Sequence, residues 1–195
     1  MKMNKTIILS FMLLAGTVTG IFAQTATAAE AETSAEIDGI MLMREEEKLA
    51  YDVYLTLYDI WGKTIFKNIA KAEQKHMDAV AGLITDFKLS DPVSDNKRGE
   101  FTNQKIQHLY DTMIEQGSKS LLEALKIGAT IEDLDIHDLN NLLAGTTDAN
   151  ITRVYNNLKK GSENHLNSFM RQIKAEGGDY TPQYISEQEF NQIVK

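Results

Sequence analysis

The chain has 195 residues, 43% of them hydrophobic and 25% charged, which suits one soluble domain with its own core. A formal net charge of −8 argues against nucleic acid as a partner, because phosphates are bound by basic surfaces. Without cysteine the chain can form no disulfide, thiolate metal site or lipid-modified N-terminal cysteine, so any metal must be held by carboxylates and imidazoles, a donor set that suits iron or manganese.

Residues 1–23 have the layout of a secretory signal peptide. Lys2 and Lys5 precede the apolar run from Ile7 to Leu14, and small residues follow near Ala23 and again at Ala26 to Ala29, so cleavage as late as residue 29 is compatible with the pattern. The run is short for a membrane span, so the mature chain is expected to have no stable membrane anchor and to be exported, periplasmic or extracellular. Cleavage removes two lysines and no acid, which shifts the net charge to about −10. Residues 24–36 are expected to form a flexible linker.

The two prolines, Pro92 and Pro182, lie outside the long periodic segments. The spacing predicts a first helix from about Ile37 to Trp61, stopped at Gly62, and a second from a Thr64 cap to about Phe87. Lys88 to Asn103, with Pro92, Gly99 and several Asp, Asn and Ser residues, reads as a long connection leading to a short helix over about 104–116. Ser118 can cap a third main helix reaching about Leu143, and the turn Gly145-Thr146-Thr147-Asp148 enters a fourth that runs to about Glu176. Gly177-Gly178 ends it, leaving a tail over 177–195. No strand pattern appears. The fold class is therefore all-α: a four-helix bundle over 37–176 with ferritin-like connection, a long crossover between the second and third main helices, a short extra helix and a C-terminal tail.

Polar groups interrupt the inward stripes of these helices. On the second helix Ile69, Glu73, His76, Val80, Leu83 and Phe87 share one face, so a carboxylate and an imidazole stand in an apolar line. On the third, Leu121, Leu125, Gly128, Glu132, Asp135, Leu139 and Leu142 do the same. On the fourth, Ile151, Val154, Leu158, Ser162, His165, Phe169 and Ile173 carry His165 as their one ionisable member. The first helix has the stripe Met43, Ala50, Tyr54, Leu57 and Trp61, which Glu46 and Glu47 flank about equally, so periodicity does not choose between them. His108 and His137 lie nearly opposite their stripes and read as solvent-facing. Thr130 with Asp133 also resembles an N-cap box, in which case the third helix restarts there and Asp135 faces solvent. A lone buried polar residue is ordinary; four helices sending such groups into one core point to a shared ligand, since an unpaired buried carboxylate costs several kcal/mol.

These residues resemble the ferritin-like di-iron carboxylate proteins, which use a Glu from each of two helices and a Glu-x-x-His from each of the other two. Glu73-Gln74-Lys75-His76 resembles the second-helix motif. Ferritins and rubrerythrins carry a first-helix ligand Glu followed at three and seven positions by Ala and Tyr; Glu47, Ala50 and Tyr54 match, so the resemblance selects Glu47. Glu132 resembles the third-helix carboxylate and His165 the fourth-helix histidine. Ser162 departs from the pattern, standing where the fourth helix carries its Glu, and Asp135, one turn from Glu132, could restore the count. More narrowly, Ile37 to Val194 resembles an uncharacterised bacterial and archaeal family of ferritin-like domains, through Arg44-Glu45-Glu46-Glu47-Lys48-Leu49-Ala50, Glu73-Gln74-Lys75-His76-Met77, Ile131-Glu132-Asp133-Leu134-Asp135-Ile136 and Asn164-His165-Leu166.

The resemblance implies a metal site of Glu47, Glu73, His76, Glu132 and His165, to which the helical wheel, not the family pattern, adds Asp135; the site is expected to hold two iron or manganese ions, with Tyr54 as a catalytic proton or electron donor. The function expected first is an oxidoreductase acting on ferrous iron, dioxygen or peroxide. The alternatives are a non-catalytic binding or sensing domain with a mononuclear site, and a metal-free helical interaction protein. Partners are metal ions and small oxidants, with a homodimer as one allowed assembly.

Overall fold

The computed structural model describes residues 28–93 and 95–194, with 28–32 described by backbone alone. All regular structure among them is helical: α1 (Ala28–Trp61), α2 (Thr64–Asp86), α3 (Gln104–Gly117), α4 (Leu121–Gly145), α5 (Ala149–Ala175) and α6 (Glu187–Ile193). Helix α1 packs on α2 and α4, and α5 closes the ring by packing on the same two, which makes a four-helix bundle. Helix α3 leans on α1 and α4, while α6 rests on α5.

The candidate signal segment 1–23 lies outside the described residues. Within the expected linker 24–36, residues 28–36 are instead the start of α1, since their Ala- and Glu-rich composition favours helix. Three caps also differ from expectation. Thr64 is the first helical residue of α2, whose N-cap position holds Lys63, a residue that makes no side-chain capping bond. Ser120, not Ser118, caps α4, accepting from the Glu123 N–H, while the Ser118 hydroxyl donates to the Ile114 carbonyl. Helix α4 runs unbroken through Thr130, whose hydroxyl donates to the Lys126 carbonyl at 2.9 Å, so no restart occurs there. The Asp148 turn into α5 is as expected, its carboxylate accepting from the N–H groups of Asn150 and Ile151.

The bundle core divides into two apolar clusters. One contains Val53, Tyr54, Leu57, Phe66, Ile69, Leu125, Ala129, Leu166, Phe169 and Ile173. The other contains Ile40, Met43, Val80, Leu83, Leu139, Ile151, Val154 and Leu158. On every main helix the polar stripe residues fall between these two groups: Glu47 on α1, Glu73 and His76 on α2, Glu132 and Asp135 on α4, Ser162 and His165 on α5. Apolar layers on both sides exclude water from that polar layer, which raises the cost of any charge left unpaired in it.

The crossover is tied to α1 by the charged run that precedes and follows Glu47. Arg44 pairs with Asp91 at 2.8 Å and donates to the Met77 carbonyl, and Glu45 accepts from the Asn103 N–H at 2.9 Å. Lys48 is buried, bonded to Asp52 and to the carbonyls of Lys97 and Glu100, with its ammonium 4.3 Å from the centre of the Phe101 ring. These contacts set the rotation of α1 and hence the direction in which Glu47 points. Among the described residues no helix is long and apolar enough to cross a membrane.

Candidate metal centre

In the polar layer the Glu73 carboxylate stands between the two histidines. Its Oε2 lies 2.8 Å from His76 Nδ1 and its Oε1 lies 2.7 Å from His165 Nδ1. Glu47 Oε2 joins His76 Nδ1 at 3.2 Å, and Glu132 Oε2 joins His165 Nδ1 at 3.5 Å. The two rings stack with centroids 5.6 Å apart. Two groups result, Glu47/Glu73/His76 and Glu73/Glu132/His165, in each of which the donor atoms all lie within 4.8 Å of one another. Glu73 belongs to both.

The carboxyl side chains are almost wholly enclosed, at 1–2% exposure for Glu47, Glu73 and Glu132, whereas His76 keeps 14% and His165 keeps 12%. The imidazole edges therefore form the outer rim, between α2 and α5. Tyr54, fully buried, donates to Glu132 Oε1 at 2.5 Å and lies against Phe169, the ring centroids 5.3 Å apart. Gly128 makes that packing geometrically allowed, because a Cβ there would stand 2.3 Å from the Phe169 ring.

Burial by itself pushes Glu73 up, but the imidazoliums of His165 and His76 outweigh it and hold the carboxyl at about 2. Burial likewise opposes charge on the histidines, yet Glu47 and Glu73 raise His76 to about 11, and Glu132 and Glu73 raise His165 to about 10. Glu47 and Glu132 are raised, first by burial and then by neighbouring carboxylates, partly countered by the histidines. Without an ion, protons on imidazole are what balance the carboxylate charge.

The donor set fits metal. Glu47 Oε1, Glu73 Oε1 and His165 Nδ1 are buried without an aligned hydrogen bond, even though the last two are only 2.7 Å apart. Carboxylate and imidazole donors gathered this closely in a buried layer, held together by imidazole protons when no ion is bound, are what a cation that displaces those protons satisfies.

The structure brings Glu47, Glu73, His76, Glu132 and His165 together, and it settles the direction of the two first-helix acids: Glu46 points away, toward Asp138, where burial first and that neighbour next raise its carboxyl. Asp135 is buried in the same layer but outside both three-donor groups, its Oδ2 accepting from Ser162. Burial raises it to about 7, the Ser162 bond opposing the shift. His108 is exposed as expected, but His137 is half-buried, its ring 6.4 Å from that of Tyr184 in the tail.

Sequence reasoning missed Asp133. It is fully buried and accepts from the Tyr180 hydroxyl and from the N–H groups of Gln183, Tyr184 and Ile185. Its offset from the α4 stripe was the available signal, since an acid turned away from the bundle axis still needs partners once the tail covers it.

Fold and site together define an all-helical bundle protein with a buried carboxylate–histidine cluster between two apolar layers. Residues 36–195 match the family described as an uncharacterized protein domain, DUF2202, and the chain belongs to that family. It is 52% identical over 159 residues to the uncharacterized protein MJ0754 of Methanocaldococcus jannaschii, covering 82% of this chain and 86% of that one. The crystal structure of the hypothetical protein MJ0754 from Methanococcus jannaschii superposes with a TM-score of 0.80 at 47% identity, over 90% of this chain and 97% of that one.

Proposed function

We propose that this chain is an exported ferritin-like metalloprotein that binds two iron or manganese ions in the polar layer and acts as an oxidoreductase on ferrous iron, dioxygen or peroxide. The observation that carries the reading is the sharing of Glu73, one oxygen facing each three-donor group. Glu73 would bridge, Glu47 with His76 and Glu132 with His165 would complete the two positions, and the bound pair would supply one-electron steps and a place for a small oxidant.

Charge arithmetic assigns a role to Asp135. Three glutamates leave two divalent ions one charge short of neutrality, and ionised Asp135 in the same dry layer supplies the fourth. Ser162 holds Asp135 aside by its hydroxyl, and Tyr54 orients Glu132 and offers the nearest phenolic proton. The exported location rests on residues 1–23 alone.

Protons and metal compete for these donors. Loading at pH 7 should release at least the two imidazole protons, so affinity should rise with pH. The test is elemental analysis of chain purified without chelator, beside a Glu73→Ala, His76→Ala variant, with dioxygen and peroxide consumption measured on iron-loaded samples. Two ions per wild-type chain, none in the variant, and turnover support the proposal. One ion without turnover means sequestration or sensing, and no ion after ferrous loading leaves a metal-free interaction protein.

A further inference from the structure

Glycine is a poor residue for the middle of a helix, yet Gly161 sits there in α5, beside Ser162 and one turn from His165. A Cβ built on it would lie 2.4 Å from His76 Nε2 and 2.5 Å from His76 Cε1, and the third atom it would meet also belongs to His76. The His76 ring is therefore seated directly on the α5 backbone. Its other ring nitrogen, Nδ1, faces Glu73 at 2.8 Å and Glu47 at 3.2 Å, and its face stacks on His165.

We infer that Gly161 is a positioning residue for His76, and that replacing it disables the Glu47/Glu73/His76 position while sparing the Glu73/Glu132/His165 position. This rests on the two-ion reading. A methyl group at residue 161 stands about 1 Å inside the ordinary contact distance of 3.4 Å. The imidazole is rigid, so relieving this contact moves the whole ring and carries Nδ1 out of its place beside Glu73 and Glu47. Metal ligands tolerate displacements of only about 0.2 Å, so about 1 Å is decisive. The three atoms nearest the added carbon all belong to His76 and none to His165.

The experiment compares wild type, Gly161→Ala, His76→Ala and the double variant, using Mn²⁺ as the probe. Manganese per chain is measured with the EPR spectrum, in which a carboxylate-bridged pair is exchange-coupled and a lone ion gives isolated six-line hyperfine structure. Expected are two coupled ions in wild type and one isolated ion in each variant, the double variant included. Gly82→Ala, on α2 where the added carbon meets nothing within 4 Å, should keep two coupled ions. The metal-free melting temperature gives a second readout: Gly161→Ala should lower it in the wild-type background and raise or preserve it once His76 is alanine, because the clash has gone and alanine is the better helix former. Two coupled ions in Gly161→Ala, or a melting effect that is the same in both backgrounds, overturns the inference. If wild type binds no manganese, the two-ion reading fails by itself, and the melting cycle still decides whether residue 161 acts through His76.

Discussion

Helix α4 buries acids one and two residues apart under opposite conditions. Asp133 faces the tail and collects three backbone N–H groups and a phenol, so both oxygens it withdraws from water meet donors. Glu132 and Asp135 face the bundle centre, where the surrounding groups are mostly other carboxylates and the compensation is two imidazoles, one tyrosine and one serine. A buried carboxylate ringed by donors is a structural anchor. Several buried carboxylates ringed by one another form a place waiting for positive charge, and the chain carries both a few ångströms of helix rise apart.

The strongest way to break this contrast is Glu73→Ala. It removes the donor common to both groups, so bound metal should fall from two ions per chain to none, measured by elemental analysis; retention of either ion would mean that Glu73 is not the bridge. Asp133→Ala should do the reverse, leaving metal content unchanged while costing about 3 kcal/mol of stability by chemical denaturation, through stranded N–H donors in the tail. Faster proteolysis within residues 177–194 should accompany it.

Asp135→Asn sharpens the comparison through its sign. Asp135 is raised to about 7 from 3.8, so its contribution to stability is full below pH 3.8 and is lost as pH climbs through about 7. The amide escapes that loss, so the metal-free Asp135→Asn chain should be more stable than wild type at pH 8, by on the order of 1 kcal/mol, with the gap shrinking by pH 5. Asparagine at 133 should destabilise at both pH values. Tyr54→Phe should have the smallest effect, about 1 kcal/mol from the lost bond to Glu132, with two ions still bound. Any loss of oxidant consumption in that variant then belongs to the phenol and not to the metal count.

Much of this was legible beforehand because helical periodicity is local. The stripes through Glu73 and His76, Glu132 and Asp135, and His165 needed only the rotation per residue, and all of these side chains lie in the polar layer. Glu46 and Glu47 were symmetric about the α1 stripe, so that choice depended on how α1 is rolled. The roll is fixed by Arg44, Glu45, Lys48 and Asp52 gripping a crossover that follows them by some forty to sixty residues. Thr130 with Asp133 looked like a cap because a short motif carries no information about a tail fifty residues later, and His137 looked exposed for the same reason.

The sequence by itself determined the helices, their apolar stripes, the absence of thiolate chemistry, and the restriction of any metal site to carboxylate and imidazole. Only the tertiary structure decided which acids meet one another and which meet a donor. A helix fixes the direction of each side chain relative to its own axis, whereas the partner at the end of that direction depends on the roll and height of three other helices and on where the crossover and tail are pinned. For charges buried between two apolar layers, that partner is what separates an anchor such as Asp133 from a centre such as the one around Glu73.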